Sequence, residues 1–130
     1  MKKVLVLLLL MVSTNVFAEW TAVSVSSDNN QTNYVDVGTI KKKGNKVKMW
    51  TMYDYKTVKM IENDSFLSQV FHYEYDCENE TIKQLDFIWY SGNMKSGDVV
   101  YSQRNMNIEP ISVTPESINE HLFKIACGKK

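Results

Sequence analysis

The chain has 130 residues, 44% of them hydrophobic and 12% aromatic, enough for one core and too few for two. Its 15 basic and 15 acidic side chains balance, which by charge alone argues against nucleic acid or an anionic membrane surface as partner. There are only two cysteines, Cys77 and Cys127, and no Cys-X-X-Cys spacing to support redox chemistry.

The first residues read as an export signal. Lys2 and Lys3 form a basic start, Val4 to Val12 is an unbroken apolar run, and Ser13 to Ala18 is small and polar. Val16 and Ala18 present small side chains three and one residues before a cut between Ala18 and Glu19. The apolar run is about half of the roughly 20 residues a spanning helix needs, so no membrane span is expected. Position 19 is glutamate, not the cysteine a bacterial lipoprotein carries after its cut, so no lipid anchor is expected. The organisation expected is a signal peptide over 1–18 and a single domain over 19–130, exported to the periplasm or the extracellular space. Losing Lys2 and Lys3 leaves 13 basic residues against 15 acidic ones, a net charge near −2. In an oxidising compartment two cysteines have one pairing available, which predicts a Cys77–Cys127 disulfide.

Trp20 to Ser26 is rich in β-branched residues and reads as a strand. Asp28 to Asn33 is a polar loop, Tyr34-Val35 a short extended piece, and Asp36 to Ile40 a turn or a single helical turn. Lys41-Lys42-Lys43-Gly44-Asn45 reads as a basic, solvated turn that could meet an acidic partner. Lys46 to Lys56 alternates as a strand, with Val47, Met49, Thr51, Tyr53 and Tyr55 on one face and Trp50 and Met52 on the other. Thr57 to Ser65 takes no firm assignment. Phe66 to Cys77 and Thr81 to Ser91 are long strands joined at Glu78-Asn79-Glu80, Ser91 to Asp98 is a flexible loop, and Val99 to Met106 is a further strand.

The period then changes. Thr114 reads as a helix cap with Pro115 at the first helical position, and Ile118, Leu122, Ile125 and Ala126 form one apolar stripe ending at Gly128. Cys127 lies about 180° around an ideal helix from Ile118. The helix is therefore expected to unwind just before Cys127; the alternative is an apolar face that wraps through Phe123. Strands first and one helix last predict an α+β fold, an antiparallel sheet of about five to six strands with one C-terminal helix packed on one face.

The mature chain resembles the surface-adhesin protein E family of Gram-negative bacteria. The features that carry the resemblance run in order through almost all of it. They are Trp20, Tyr34-Val35-Asp36 with Ile40, Val47 to Tyr55 with Trp50 and Asp54-Tyr55, and Ser65. Asp76-Cys77, Tyr90 with Gly97-Asp98-Val99-Val100, Ile108, Pro110 and a last helix ending at Cys127 follow. The resemblance implies a curved antiparallel sheet with the helix tied to its concave face by the disulfide. It also implies adhesion to host matrix and serum proteins such as vitronectin and laminin, and a homodimer. No short ligand-binding motif of the family is recognisable here, and the missing lipoprotein cysteine departs from its surface-anchored pattern.

The catalytic inventory is thin: no Gly-X-Ser-X-Gly elbow, no His-Glu-X-X-His and no phosphate loop. His72, Glu74 and Asp76 alternate on one strand face, but span about 13 Å, too far for one metal ion without a partner strand. They read as a solvated polar face, and His121 as a surface histidine. The aromatic load on the strands is larger. One helix cannot cover both sheet faces, so Trp50, Met52, Ile88 and Tyr90, on the less regular face, are candidates for an exposed patch. Trp50 and Tyr90 are the candidate partner surface; an unpaired edge strand is the second route to a partner or a second copy. The reading is an exported, non-enzymatic binding protein of the envelope with no cofactor or metal and an unidentified protein partner. A periplasmic structural or accessory protein, or a small secreted enzyme, are the alternatives.

Overall fold

The computed structural model describes residues 19–128. The expected signal peptide, 1–18, and the last two residues lie outside that range. Seven strands and one helix follow in order: β1 (Thr21–Val25), β2 (Gln31–Lys43), β3 (Lys46–Ile61), β4 (Asp64–Asp76), β5 (Thr81–Tyr90), β6 (Val99–Gln103), β7 (Ile111–Ser112) and α1 (Ile118–Cys127). A 3₁₀ turn, Asn93–Lys95, lies between β5 and β6. All strands join one antiparallel sheet in the order β1-β2-β3-β4-β5-β6. β6 pairs with the end of β5, from Phe87 to Tyr90, and β7 with its start, at Thr81 and Ile82. The α+β class, the C-terminal helix and the disulfide expected from the pattern are all present.

The strands are longer than their patterns suggest. β3 and β4 continue through the unassigned stretch, pairing Lys59 with Phe66 and Ile61 with Asp64. The turn between them is only Glu62-Asn63, with Glu62 at φ 54°, a conformation that usually selects glycine or asparagine. The expected turn at Asp36 to Ile40 is a bulge inside β2. Asp36 Oδ1 accepts from the Gly38 amide at 3.0 Å, and the Thr39 hydroxyl donates to the Asp36 carbonyl at 2.6 Å. That hydroxyl also accepts from the Trp50 amide at 3.0 Å, replacing the missing ladder bond. Lys41 to Lys43 are consequently strand residues, not a turn. β6 stops at Gln103, two residues before Asn105 at φ 53°.

Each sheet face carries its own core. On the first face α1 sets Leu122, Phe123 and Ala126 against Val35, Val47, Met49, Tyr75 and Ile82. Leu122, Met49 and Tyr75 are fully buried. Each such aliphatic or aromatic side chain contributes roughly 1.5–3 kcal/mol. On the opposite face Met52, Val70 and Ile88 line up across β3, β4 and β5 and are buried without any helix. Trp20, Tyr34, Trp50 and Tyr90 pack around them. Met52 and Ile88 are thus core residues and not part of an exposed patch, because aromatic neighbours cover them.

The helix begins later than Thr114-Pro115 suggests. Ser117 is the cap, its hydroxyl accepting from the Glu120 amide at 3.2 Å, and Glu116 before it has φ 61°. Ser117-Ile118-Asn119-Glu120 is a capping-box spacing that competes with the Thr-Pro signal. The helix does not unwind before Cys127. It runs through it and stops at Gly128, whose φ of 69° strongly favours glycine. The apolar face instead wraps to Phe123, one turn before Cys127, so the cysteine points to the sheet with it.

The disulfide joins Cys77, just after β4, to the last turn of α1, with Cα atoms 5.8 Å apart and 50 residues between them. Closing a loop of that length contributes about 4 kcal/mol in the chain-entropy treatment. Cys77→Ser/Cys127→Ser is therefore expected to lower unfolding free energy by about 2–4 kcal/mol. Chemical denaturation of the oxidised and variant proteins measures it; equal midpoints would show that α1 is held by packing alone.

Candidate functional site

Trp50 and Tyr90, which the sequence singles out, line one cleft on the face opposite α1. Its volume is about 270 Å³, and Trp20, Asp36, Thr39, Lys95 and Arg104 complete the wall over a floor of Val70 and Ile88. The cleft therefore presents three aromatic rings, two cations and one carboxylate. Trp50 and Tyr90 are half-buried, not free-standing.

Trp50 is held from behind. It sits opposite His72 on β4, and the two rings stack 4.5 Å apart at an interplanar angle of 3°. His72 Nδ1 lies 2.9 Å from Asp86 Oδ2, so the carboxylate accepts from its N–H. The other oxygen, Asp86 Oδ1, accepts from the Asn105 amide at 2.9 Å. Asp86 is 8% exposed. Burial pushes its carboxyl up, but the Asn105 amide and then the His72 hydrogen bond outweigh that, with help from the Arg104 charge, and hold it below the usual carboxylate value. A chain Asn105–Asp86–His72–Trp50 thus fixes the orientation of the indole. His72 is part of this scaffold and not the solvated residue its alternation suggested.

The opposite rim is built by the β5–β6 connection, which is anchored and not loose. Asp54 Oδ1 accepts from the Met94 amide at 2.7 Å and from Asn93 Nδ2 at 3.2 Å. The Asn93 side chain also donates to the Tyr55 carbonyl at 2.6 Å. Ser68, fully buried on β4, donates to the Gly92 carbonyl at 2.6 Å and accepts from the Lys95 amide at 3.0 Å. These bonds fold the loop back across β4 and β3 and bring Lys95 to the cleft. Gly97 has φ 76°, and a Cβ there would meet the Ser91 hydroxyl, so only glycine closes this loop. Burial raises the Tyr90 hydroxyl above its ordinary pKa, partly offset by Arg104.

Pattern reading missed Asp86, Arg104, Lys95 and the role of Trp20. For Asp86 a signal existed: a lone carboxylate between Leu85 and the apolar run Phe87 to Tyr90. The others arrive through loops whose course no local pattern encodes. Beyond α1, the first face carries the remaining aromatic load. Tyr53 meets Phe71 edge-on at 4.9 Å, Phe66 stacks on Trp89 at 4.5 Å, and Phe87, Trp89 and Tyr101 lie within 5.7 Å of one another. Burial pushes the Tyr53 hydroxyl up to about 12, and those of Tyr73 and Tyr75 higher still. These rings chiefly contact one another.

Among the described residues no group of three His, Cys, Asp or Glu side chains converges to hold a metal ion. Glu74 faces Lys46 at 3.8 Å, and Asp76 caps the β4–β5 turn through the Glu78 and Asn79 amides. His121 Nε2 lies 3.2 Å from the Val23 carbonyl on β1. No helix among the described residues is long and apolar enough to cross a membrane.

A single meandering antiparallel sheet, a terminal helix on one face, and a disulfide from the fourth strand to the helix end define a small disulfide-tethered α+β domain class. The chain belongs to the surface-adhesin protein E family, whose model matches residues 20–128. Its fold is that of Haemophilus influenzae protein E. One crystal form of that protein superposes with a TM-score of 0.65 at 15% identity, covering 88% of this chain and 91% of that one. Another structure of it gives 0.63 at 16% identity, covering 88% of each. Protein E from a non-typeable strain gives 0.54 at 14% identity, covering 85% of this chain and 84% of that one. No curated protein matches this chain in sequence.

The Asp86 scaffold makes a testable statement about pH. An Asp whose folded pKa lies below its unfolded one stabilises the fold above the ordinary carboxylate range, and that stability is lost as pH falls through and below it. Asp86→Asn should cost about 1–3 kcal/mol at neutral pH. Part of the wild-type loss of stability on acidification should disappear in the variant. Denaturation midpoints at neutral and acidic pH test this; an identical acid dependence in both proteins would contradict it.

Proposed function

We propose that this protein is an exported, non-enzymatic binding protein of the bacterial envelope that engages a protein partner through the Trp50–Tyr90 cleft. The partner class is a host matrix or serum protein, as family membership suggests. The observation that carries the reading is the composition and rigidity of the cleft. Trp, Tyr and Arg are the residue types on which binding energy concentrates at protein interfaces, especially in preorganised, partly desolvated sites. Here Trp50 is braced by His72 and Asp86, while Arg104 and Lys95 stand at the rim. The aromatic tract on the other face offers fewer such polar handles and packs largely against itself.

Export over residues 1–18, a destination in the periplasm or outside the cell, and action without catalysis or cofactor belong to the same proposal. So does pairing of two copies through an exposed strand edge. The outer edge of β6, the last strand in the sheet order, is available for it.

Tyr90→Ser removes a ring at the cleft wall while leaving Met52, Val70 and Ile88 in place. The expected result is about tenfold or greater weakening of binding to immobilised vitronectin or laminin, with a melting temperature within a few degrees of wild type. Trp50→Ala is a harsher companion, expected to lose about 3–5 kcal/mol of stability where the ring is packed. Unchanged affinity of a folded Tyr90→Ser protein would rule out the cleft. Turnover of a defined substrate, abolished by a point change in a folded protein, would rule out a purely binding role.

A further inference from the structure

The lysines of the β2–β3 hairpin occupy a place that charge balance alone does not explain. In the β2–β3 register Lys41 stands opposite Lys48 and Lys43 opposite Lys46, two cross-strand pairs in succession. By alternation all four project to the face that carries Trp50. Residues directly opposite have Cβ atoms about 5 Å apart, and like charges so placed destabilise a sheet. Next neighbours on the same face are about 7 Å apart along a strand. They line a shallow depression of about 530 Å³ together with Glu74; Lys42 borders it too, but stands opposite Val47 and so projects to the helix side. Among the described residues, the one ion pair there is Lys46 with Glu74 at 3.8 Å. Four ammonium groups on this face therefore meet two β4 carboxylates, Glu74 opposite Lys48 and Asp76 opposite Lys46, a local positive excess in a chain whose total charge is balanced. Lysines on a free strand edge guard against edge-to-edge aggregation, and this accounts for Lys41 to Lys43 on the unpaired half of β2. It does not account for Lys46 and Lys48, which lie on an interior strand.

We infer that this lysine face binds a sulfated polysaccharide. Sulfate groups spaced along a glycan offset the repulsion that the two Lys–Lys pairs impose, and displace the counterions the patch holds when free. Trp50, two residues beyond Lys48 on the same face, extends the strip with an aromatic surface for an apolar sugar-ring face. A phosphorylated bilayer fits less well. The exposed apolar run Val58, Met60 and Ile61 lies at the far end of β3, and Val37 on β2, the exposed apolar side chain nearest the lysines along the chain, is too small to anchor in the acyl region. A single-stranded nucleic acid fits less well too, because the strip offers one aromatic ring, Trp50, where strand binding stacks successive bases. The inference shares Trp50 with the cleft but rests on the lysine pairs, so it and the protein-binding reading can each fail alone.

The test measures binding of the mature protein to a size-defined heparin oligosaccharide across a range of salt. The same oligosaccharide with its sulfates removed, phosphatidylglycerol vesicles and single-stranded DNA are the comparison ligands. Wild type should bind the sulfated oligosaccharide alone, more weakly as salt rises. Lys41→Gln/Lys43→Gln/Lys48→Gln should lose about tenfold or more and melt no lower than wild type, because repulsion is relieved. Lys56→Gln/Lys59→Gln/Lys124→Gln, with the same change in net charge, should bind as wild type does. Arginine at the three patch positions should preserve binding. Absence of salt-dependent binding, equal losses in both triple variants, or equal or tighter binding of the desulfated glycan, vesicles or DNA would overturn the inference.

Discussion

Coverage is the constraint on which this structure turns. The helix α1 has 10 residues and is about 15 Å long. Six neighbouring strands span about 24 Å, and the longest strand, of 16 residues, runs about 50 Å. One helix can therefore close only one end of one face, and the disulfide at Cys77–Cys127 fixes which end. Everything else the sheet buries must be covered by side chains alone. That is why aromatic residues crowd both faces, and why Met52, Val70 and Ile88 are buried under rings and not under a second helix.

The same constraint makes the cleft. Side chains that cover a sheet without a helix above them remain partly exposed, so the cover of the second core is itself a surface. Two departures from regular pairing shape it. The Asp36–Thr39 bulge brings a carboxylate and a hydroxyl to the rim while Thr39 keeps the Trp50 amide bonded. The β5–β6 loop, held by Asp54 and Ser68, carries Lys95 to the opposite rim. The part-buried His72–Asp86 pair sits beneath, where breaking one partner leaves an uncompensated polar group and so disturbs Trp50.

Much of this was legible from period and from cysteine count. Alternation from Lys46 to Lys56 and from Phe66 to Cys77 identified the two central strands, because each has one buried face. Two cysteines in a chain whose sequence reads as exported left one bridge. What local pattern could not supply was continuity across breaks. The β3–β4 turn at Glu62-Asn63 carries neither glycine nor proline, and the β2 bulge uses side-chain bonds that mimic a turn. The helix start carried two competing signals, and Ser117 with Glu120 prevailed over Thr114-Pro115. Trp50 and Tyr90 could be placed on one face by counting. Asp86, Arg104 and Lys95 could not be placed beside them, since that depends on the register of β4 with β5 and on two loops.

The chain has three tryptophans, and the fold distributes them informatively: Trp20 and Trp50 at the cleft, Trp89 among the rings of the opposite face. Their indole N–H groups give three separate reporters in a nitrogen-labelled protein. Adding a soluble fragment of vitronectin or laminin and following those three NMR signals tests directly which face binds. The account predicts that the Trp20 and Trp50 signals shift or broaden together while Trp89 stays in place. Movement of Trp89 alone, with Trp20 and Trp50 unchanged, would contradict it.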